Sequence, residues 1–84
     1  MYRLEILPEV QEQLDALPKE AVVACAEVFV MLEVTPWSGD PYSREHLDGS
    51  SRAIAFGPDG NGLLSYLILE DQRRVILLIV IWAG

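Results

Sequence analysis

His46 is the only histidine in this sequence, and so the only side chain whose ordinary pKa lies near neutrality. It stands between Glu45 and Leu47, two positions after Arg44, in a stretch without hydrophobic periodicity. General-base chemistry is what such a residue could perform, set against the plainer reading of a solvated loop histidine. A metal site would have to recruit Asp40, Glu45 or Asp48 at no recognised ligand spacing, so no metal is expected. The single cysteine, Cys25, rules out an intrachain disulfide and a four-cysteine zinc site. Its neighbours Val22, Val23, Val28 and Phe29 mark it as a small buried apolar residue rather than a nucleophile. Residues 57–62 are glycine-rich, but neither phosphate-loop spacing occurs and no helix follows. Arg73 and Arg74, directly after Glu70-Asp71, read as charge balance and edge protection at a turn.

These groups must be positioned by short elements. Tyr2, Leu4 and Ile6 alternate with polar residues, the period of a half-buried strand. Pro8 suits a first helical turn, with Val10, Leu14 and Leu17 on one stripe, and Pro18 closes the segment. Val22, Cys25, Val28 or Phe29, and Leu32 predict a second helix over residues 19–34, ended by Thr35-Pro36. The pair reads as a helical hairpin. Residues 36–50 form a long loop holding Trp37, Tyr42, Arg44 and His46, and loops of such length are often functional. Trp37 and Tyr42 read first as anchors pinning that loop to the sheet. Three strands then follow, at 52–56, 63–69 and 74–82, separated by two turn signals.

A working register pairs Leu69 with Arg74 and Tyr66 with Leu77, and Phe56 with Leu63 and Arg52 with Leu67. Alternation then sets Ala53, Ala55, Leu64, Tyr66, Ile68, Val75, Leu77, Ile79 and Ile81 on one face. Arg52, Ile54, Phe56, Leu63, Ser65, Leu67, Arg74, Ile76, Leu78, Val80 and Trp82 fall on the other. A one-residue bulge would exchange part of these sets. Both faces are mostly apolar, and two short helices cover only one. The remaining aliphatic side chains, each worth roughly 1.5–3 kcal/mol if buried, imply an obligate partner or a homo-oligomer.

Composition bounds the rest. Eighty-four residues, 51% of them hydrophobic and 23% charged, make one ordered domain spanning 1–84. The net charge of −7 is uneven: residues 1–40 carry two basic and eight acidic groups, and residues 41–84 four and five. Such a chain is repelled at long range by phosphate backbones, which opposes non-specific nucleic-acid binding. The start carries no basic-then-apolar leader pattern, and the longest apolar run, residues 75–83, falls short of the roughly 20 residues a membrane helix needs. A cytoplasmic protein with no membrane association is therefore expected.

The order strand, helix, helix and three antiparallel strands resembles the RelE/ParE superfamily of type II toxin–antitoxin toxins. The residues that carry the resemblance are 2–6, Leu17-Pro18, Leu32 with Thr35-Pro36, and the segments 52–57, 64–68 and 74–77. They span nearly the whole chain through short, weakly specific motifs. The resemblance implies an α+β fold, with the N-terminal strand and helical hairpin packed on a small antiparallel sheet. It also implies a bacterial toxin neutralised by an antitoxin that covers the apolar sheet face. RelE-like relatives cut mRNA on the ribosome without a metal or cofactor, and ParE-like relatives poison DNA gyrase.

In such an endoribonuclease basic residues stabilise the in-line phosphorane, beside a proton donor and acceptor. Arg52 stands where the family keeps a basic residue at the phosphate site, and an arginine can hold two phosphate oxygens at once. The alternative is a strand-end arginine paired with Glu45, Asp48 or solvent. Tyr66 matches the family tyrosine, as a proton donor or stacking group, although its apolar face favours a core tyrosine. Arg44, His46 and Arg74 complete the candidates. Leu63 replaces a family arginine, and no further arginine and tyrosine follow by Gly84. These departures leave room for a catalytically inactive protein-interaction module or a gyrase inhibitor.

Overall fold

In a computed structural model, which describes residues 1–41 and 50–83, the N-terminal alternation becomes strand β1 (Arg3–Ile6). Pro8 opens helix α1 (Pro8–Asp15), where its missing N–H removes no helical hydrogen bond. After Leu17-Pro18 comes α2 (Lys19–Val34), with the bounds expected from the sequence. Its buried stripe is Ala21, Cys25 and Leu32, with Val28 and Phe29 half-buried, whereas Val22 faces outward. Pro36–Ser38 form a single 3-10 turn rather than featureless loop, and Asp40–Pro41 add a two-residue strand, β2. The meander follows as β3 (Ser51–Phe56), β4 (Gly62–Leu69) and β5 (Arg74–Trp82).

The described strands form one sheet in the order β1-β5-β4-β3-β2, with both helices on one face, so the class is α+β as read. The sheet is mixed rather than wholly antiparallel, because β1 runs parallel to β5. β2, β3, β4 and β5 each run antiparallel to the next, so β1, parallel to β5, runs opposite to β2.

Register corrects the face assignment. Leu69 opposes Arg74 and Tyr66 opposes Leu77 as expected, but Ser65 then opposes Ile79, so Leu78 is an extra residue on β5. That bulge turns Val80 and Trp82 toward the helices, and Ile79 and Ile81 away from them. On the other side of β4, Phe56 opposes Gly62 and Arg52 opposes Tyr66, one residue from the expected register. The reason is the space that two aromatic rings need. Gly57 takes φ +95°, and a Cβ there would lie 2.8 Å from the Trp82 ring. Gly62 lies directly against the Phe56 ring, which stacks on Trp82 at 5.9 Å between centroids. Only a pairing that sets a glycine opposite Phe56 leaves room for both rings.

The core on the helix side joins Val10, Ala21, Cys25 and Leu32 to Leu64, Tyr66, Ile68, Val75, Leu77 and Val80. Past the end of β1, the Val80 N–H donates to Gln13 Oε1 at 2.8 Å, so α1 satisfies a backbone group that has passed beyond the reach of β1. On the opposite face Leu63, Leu67, Ile76, Ile79 and Ile81 stay outside the core cluster. No described helix is long and apolar enough to cross a membrane.

The bulge makes a measurable distinction between near neighbours. Val80 is 5% exposed and Ile81 46%. Urea denaturation should show Val80→Ala losing about 1.5–2.5 kcal/mol and Ile81→Ala less than about 1 kcal/mol. The reverse ranking would mean an unbulged ladder.

Candidate functional site

Arg52 and Tyr66 are cross-strand partners on the helix-side face. Both are engaged by the turn that follows α2. The Tyr66 hydroxyl, fully buried, donates to the Pro36 carbonyl at 2.6 Å. Arg52 Nη1 donates to the Gly39 carbonyl at 2.7 Å and to that of Trp37 at 3.3 Å. Its guanidinium also lies 5.2 Å from the centre of the Trp37 ring. Gly39 is required here, since a Cβ would collide with the Tyr66 hydroxyl. Burial pushes the Tyr66 phenol pKa upward, opposed by the Gly39 backbone and the Arg52 charge. At neutral pH the hydroxyl therefore keeps its proton and donates it to Pro36.

Trp37 leads to a second group. Its indole N–H donates to Glu70 Oε1 at 2.7 Å, and the Tyr2 hydroxyl donates to the same oxygen at 2.6 Å. Arg73 lies 3.5 Å from Glu70 Oε2 and stacks over Tyr2 at 5.2 Å from the ring centre. The hydrogen bonds from Tyr2 and then Trp37 hold the Glu70 carboxyl below its ordinary range. In return the Tyr2 phenol is raised, first by its bond to Glu70. The Trp37 end of this group borders a cleft of about 330 Å³. Glu70 and Asp71 line it, and no basic side chain does so among the described residues.

Arg74 is elsewhere. It lies on the open face, where Nε and Nη2 grip the Glu5 carboxylate at 2.7 and 2.5 Å. Nη1 donates to Gln72. The Arg74 hydrogen bond lowers the Glu5 pKa against a smaller opposing effect of burial. The structure thus brings Arg52 and Tyr66 together and sets Arg74 across the sheet from them. Arg44, His46 and Tyr42 lie outside the described residues. Cys25 is buried, its thiol pushed up to about 11 by desolvation, which suits a core residue. No cluster of three His, Cys, Asp or Glu side chains suited to a metal occurs among the described residues. Sequence reading missed Glu70, the hub of the second group. No periodicity links it to Tyr2 and Trp37, which are 68 and 33 positions away.

The isolated RelE toxin of E. coli superposes on the whole chain with a TM-score of 0.83 at 14% identity, over 86% of that protein. This is a RelE-type fold. The RelE–RelB complex of Pyrococcus horikoshii OT3 superposes over 99% of this chain and 96% of that one, with a TM-score of 0.71 at 19% identity. No protein-family profile and no curated protein sequence matches the chain. Against that fold, Arg52 and Tyr66 act here as a clamp closing the α2–β2 turn onto β3 and β4.

Two outcomes test these contacts. Tyr66→Phe leaves the buried Pro36 carbonyl unpaired and should cost about 1–3 kcal/mol in urea denaturation. Because the folded pKa of Glu70 is depressed, its stabilising contribution is present above the ordinary value of 4.5 and lost as pH falls through the lower folded value. Glu70→Gln should therefore lose less stability than the wild type between neutral pH and pH below 4.5. An equal loss in both proteins would remove Glu70 from the acid response.

Proposed function

We propose that this chain is the toxin-type member of a toxin–antitoxin pair, held in the cell by an antitoxin across the open sheet face. The observation that carries the proposal is the RelE-type fold extending over the full chain. The P. horikoshii relative, a RelE bound to RelB, gives the reading its partner class. The aliphatic residues outside the core on β4 and β5 provide the surface such a partner would cover.

The chemical action divides into two readings. In ribosome-dependent mRNA cleavage, Arg52 would bind the phosphate, with Tyr66 or residues of the 42–49 segment (Arg44, His46) moving protons. A specific observation favours the other reading, a protein-binding relative that cuts no RNA. Each described candidate already has a protein partner: Gly39 and Trp37 for Arg52, Pro36 for Tyr66, Glu5 for Arg74. Leu63 stands in place of a family arginine, and the nearby cleft is acidic. A missing charge-stabilising group at Leu63, worth a few kcal/mol, would lower an RNA-cleavage rate by orders of magnitude.

The experiment induces the chain alone beside Arg52→Ala, at matched soluble levels and with melting curves for both, because Arg52 also holds the turn. Growth arrest is the expected result. Normal growth would overturn the toxin role and leave the interaction module. New mRNA ends that vanish in a folded Arg52→Ala would place the phosphate site at Arg52. Intact mRNA with blocked supercoiling by purified gyrase would assign the protein target instead. Light scattering on the isolated chain should show self-association through the open face when no partner is present.

A further inference from the structure

Helix α2 is apolar on two sides. Ala21, Cys25, Val28 and Leu32 turn toward the sheet. Two positions further on, about 200° around the helix axis, Val23, Val30 and Val34 lie on the outer surface, with Glu27 between Val23 and Val30 on the same stripe. Val23 is 55% exposed, Val30 64% and Val34 60%. Three exposed valines on one helix face exceed what a solvated surface needs, and among the described residues they stay uncovered.

The surroundings of the stripe describe what would cover it. On one flank a groove of about 540 Å³ is lined by Val23, Val28, Phe56 and Pro58 together with Glu20 and Glu27. On the other, a groove of about 450 Å³ runs between α1 and α2 past Ile6, Leu14, Val22 and Phe29, with Asp15 beside it. Among the described residues, every titratable side chain bordering the two grooves is acidic, apart from the buried Cys25 thiol. Within α2 itself one Lys faces three Glu, a net charge of −2. A second copy would bring the same acidic surface against this one, so self-association is opposed by charge.

We infer that the outer face of α2, with its two flanking grooves, docks an amphipathic helix from a partner protein whose apolar stripe is bordered by Lys or Arg. The apolar residues of that helix pack on Val23, Val30 and Val34, and its basic residues meet Glu20, Glu27 and Asp15. This goes beyond the antitoxin reading. It concerns the helix layer, on the side of the molecule away from the open sheet face, and it stands whether or not the chain is a toxin.

The test uses the full chain and two synthetic helical peptides of equal length, one of Leu and Lys, the other of Leu and Glu. Fluorescence anisotropy should show binding of the Leu/Lys peptide only, weakening as salt rises. Val23→Lys/Val30→Lys should weaken it by about tenfold or more. Ile81→Lys, on the opposite sheet face, should leave it unchanged. The substituted valines are exposed, and circular dichroism verifies that the fold is kept. No binding, equal binding of the Leu/Glu peptide, or loss only in Ile81→Lys would each overturn the inference. So would a concentration-dependent dimer that disappears in Val23→Lys/Val30→Lys, since the occupant would then be a second copy.

Discussion

One extra residue in β5 sets the arrangement of the whole sheet. With Leu78 accommodated as a bulge opposite the Ser65–Tyr66 step, Val80 and Trp82 turn toward the helices, where an even ladder would have aimed Ile79 and Ile81. The Phe56–Trp82 stack, the glycine that makes room for Phe56 and the Gln13 bond to Val80 all rely on that turn. So does the character of the open face, which receives the two isoleucines. A β-bulge is a small departure from a ladder, yet here it decides which aliphatic residues are core and which are left for a partner.

The second dependence lies at the α2–β2 turn. The chain there must leave a helix, make one 3-10 turn and enter the edge of the sheet within a few residues. Backbone carbonyls at Pro36, Trp37 and Gly39 are consequently left without helical or ladder partners, and Tyr66 and Arg52 supply donors to them. An arginine on a strand beside a buried tyrosine looks like phosphate chemistry when only residue types are considered. In place, both side chains satisfy backbone that would otherwise be orphaned. The RelE-type scaffold and the chemistry of any one RelE relative are thus separable properties of the chain.

Much of the fold was legible because it is written in local signals. Pro8, Pro18 and Pro36 punctuate the helices, and α2 falls where its apolar spacing put it. The turn at residues 70–73 is tight enough to fix the β4–β5 pairing nearest to it. What lay beyond reading was decided by contacts distant in sequence. The bulge answers to the fit between helices and sheet. The β3–β4 offset answers to two aromatic rings sharing space between Gly57 and Gly62. β2 is two residues long, too short for any alternation to register. In the same way Arg52 and Tyr66 were legible as notable residues, but their carbonyl partners in the turn were not, and Glu70 was legible only as local charge balance for Arg73.

A hydrophobic content of 51% is high for a chain with one thin core between two short helices and a sheet. The surplus has to emerge somewhere, and the layer arrangement sends it to both outer surfaces. The two surfaces differ in charge. On the sheet side, Arg74 pairs with Glu5 beside the aliphatic residues, and Arg3 lies on the same face, so that surface presents both signs of charge. On the helix side the charged groups along the grooves are carboxylates among the described residues, which adds a demand for opposite charge. Two apolar surfaces facing opposite ways, one carrying both signs of charge and one bordered by carboxylates, select for partners of different chemistry rather than for indiscriminate association.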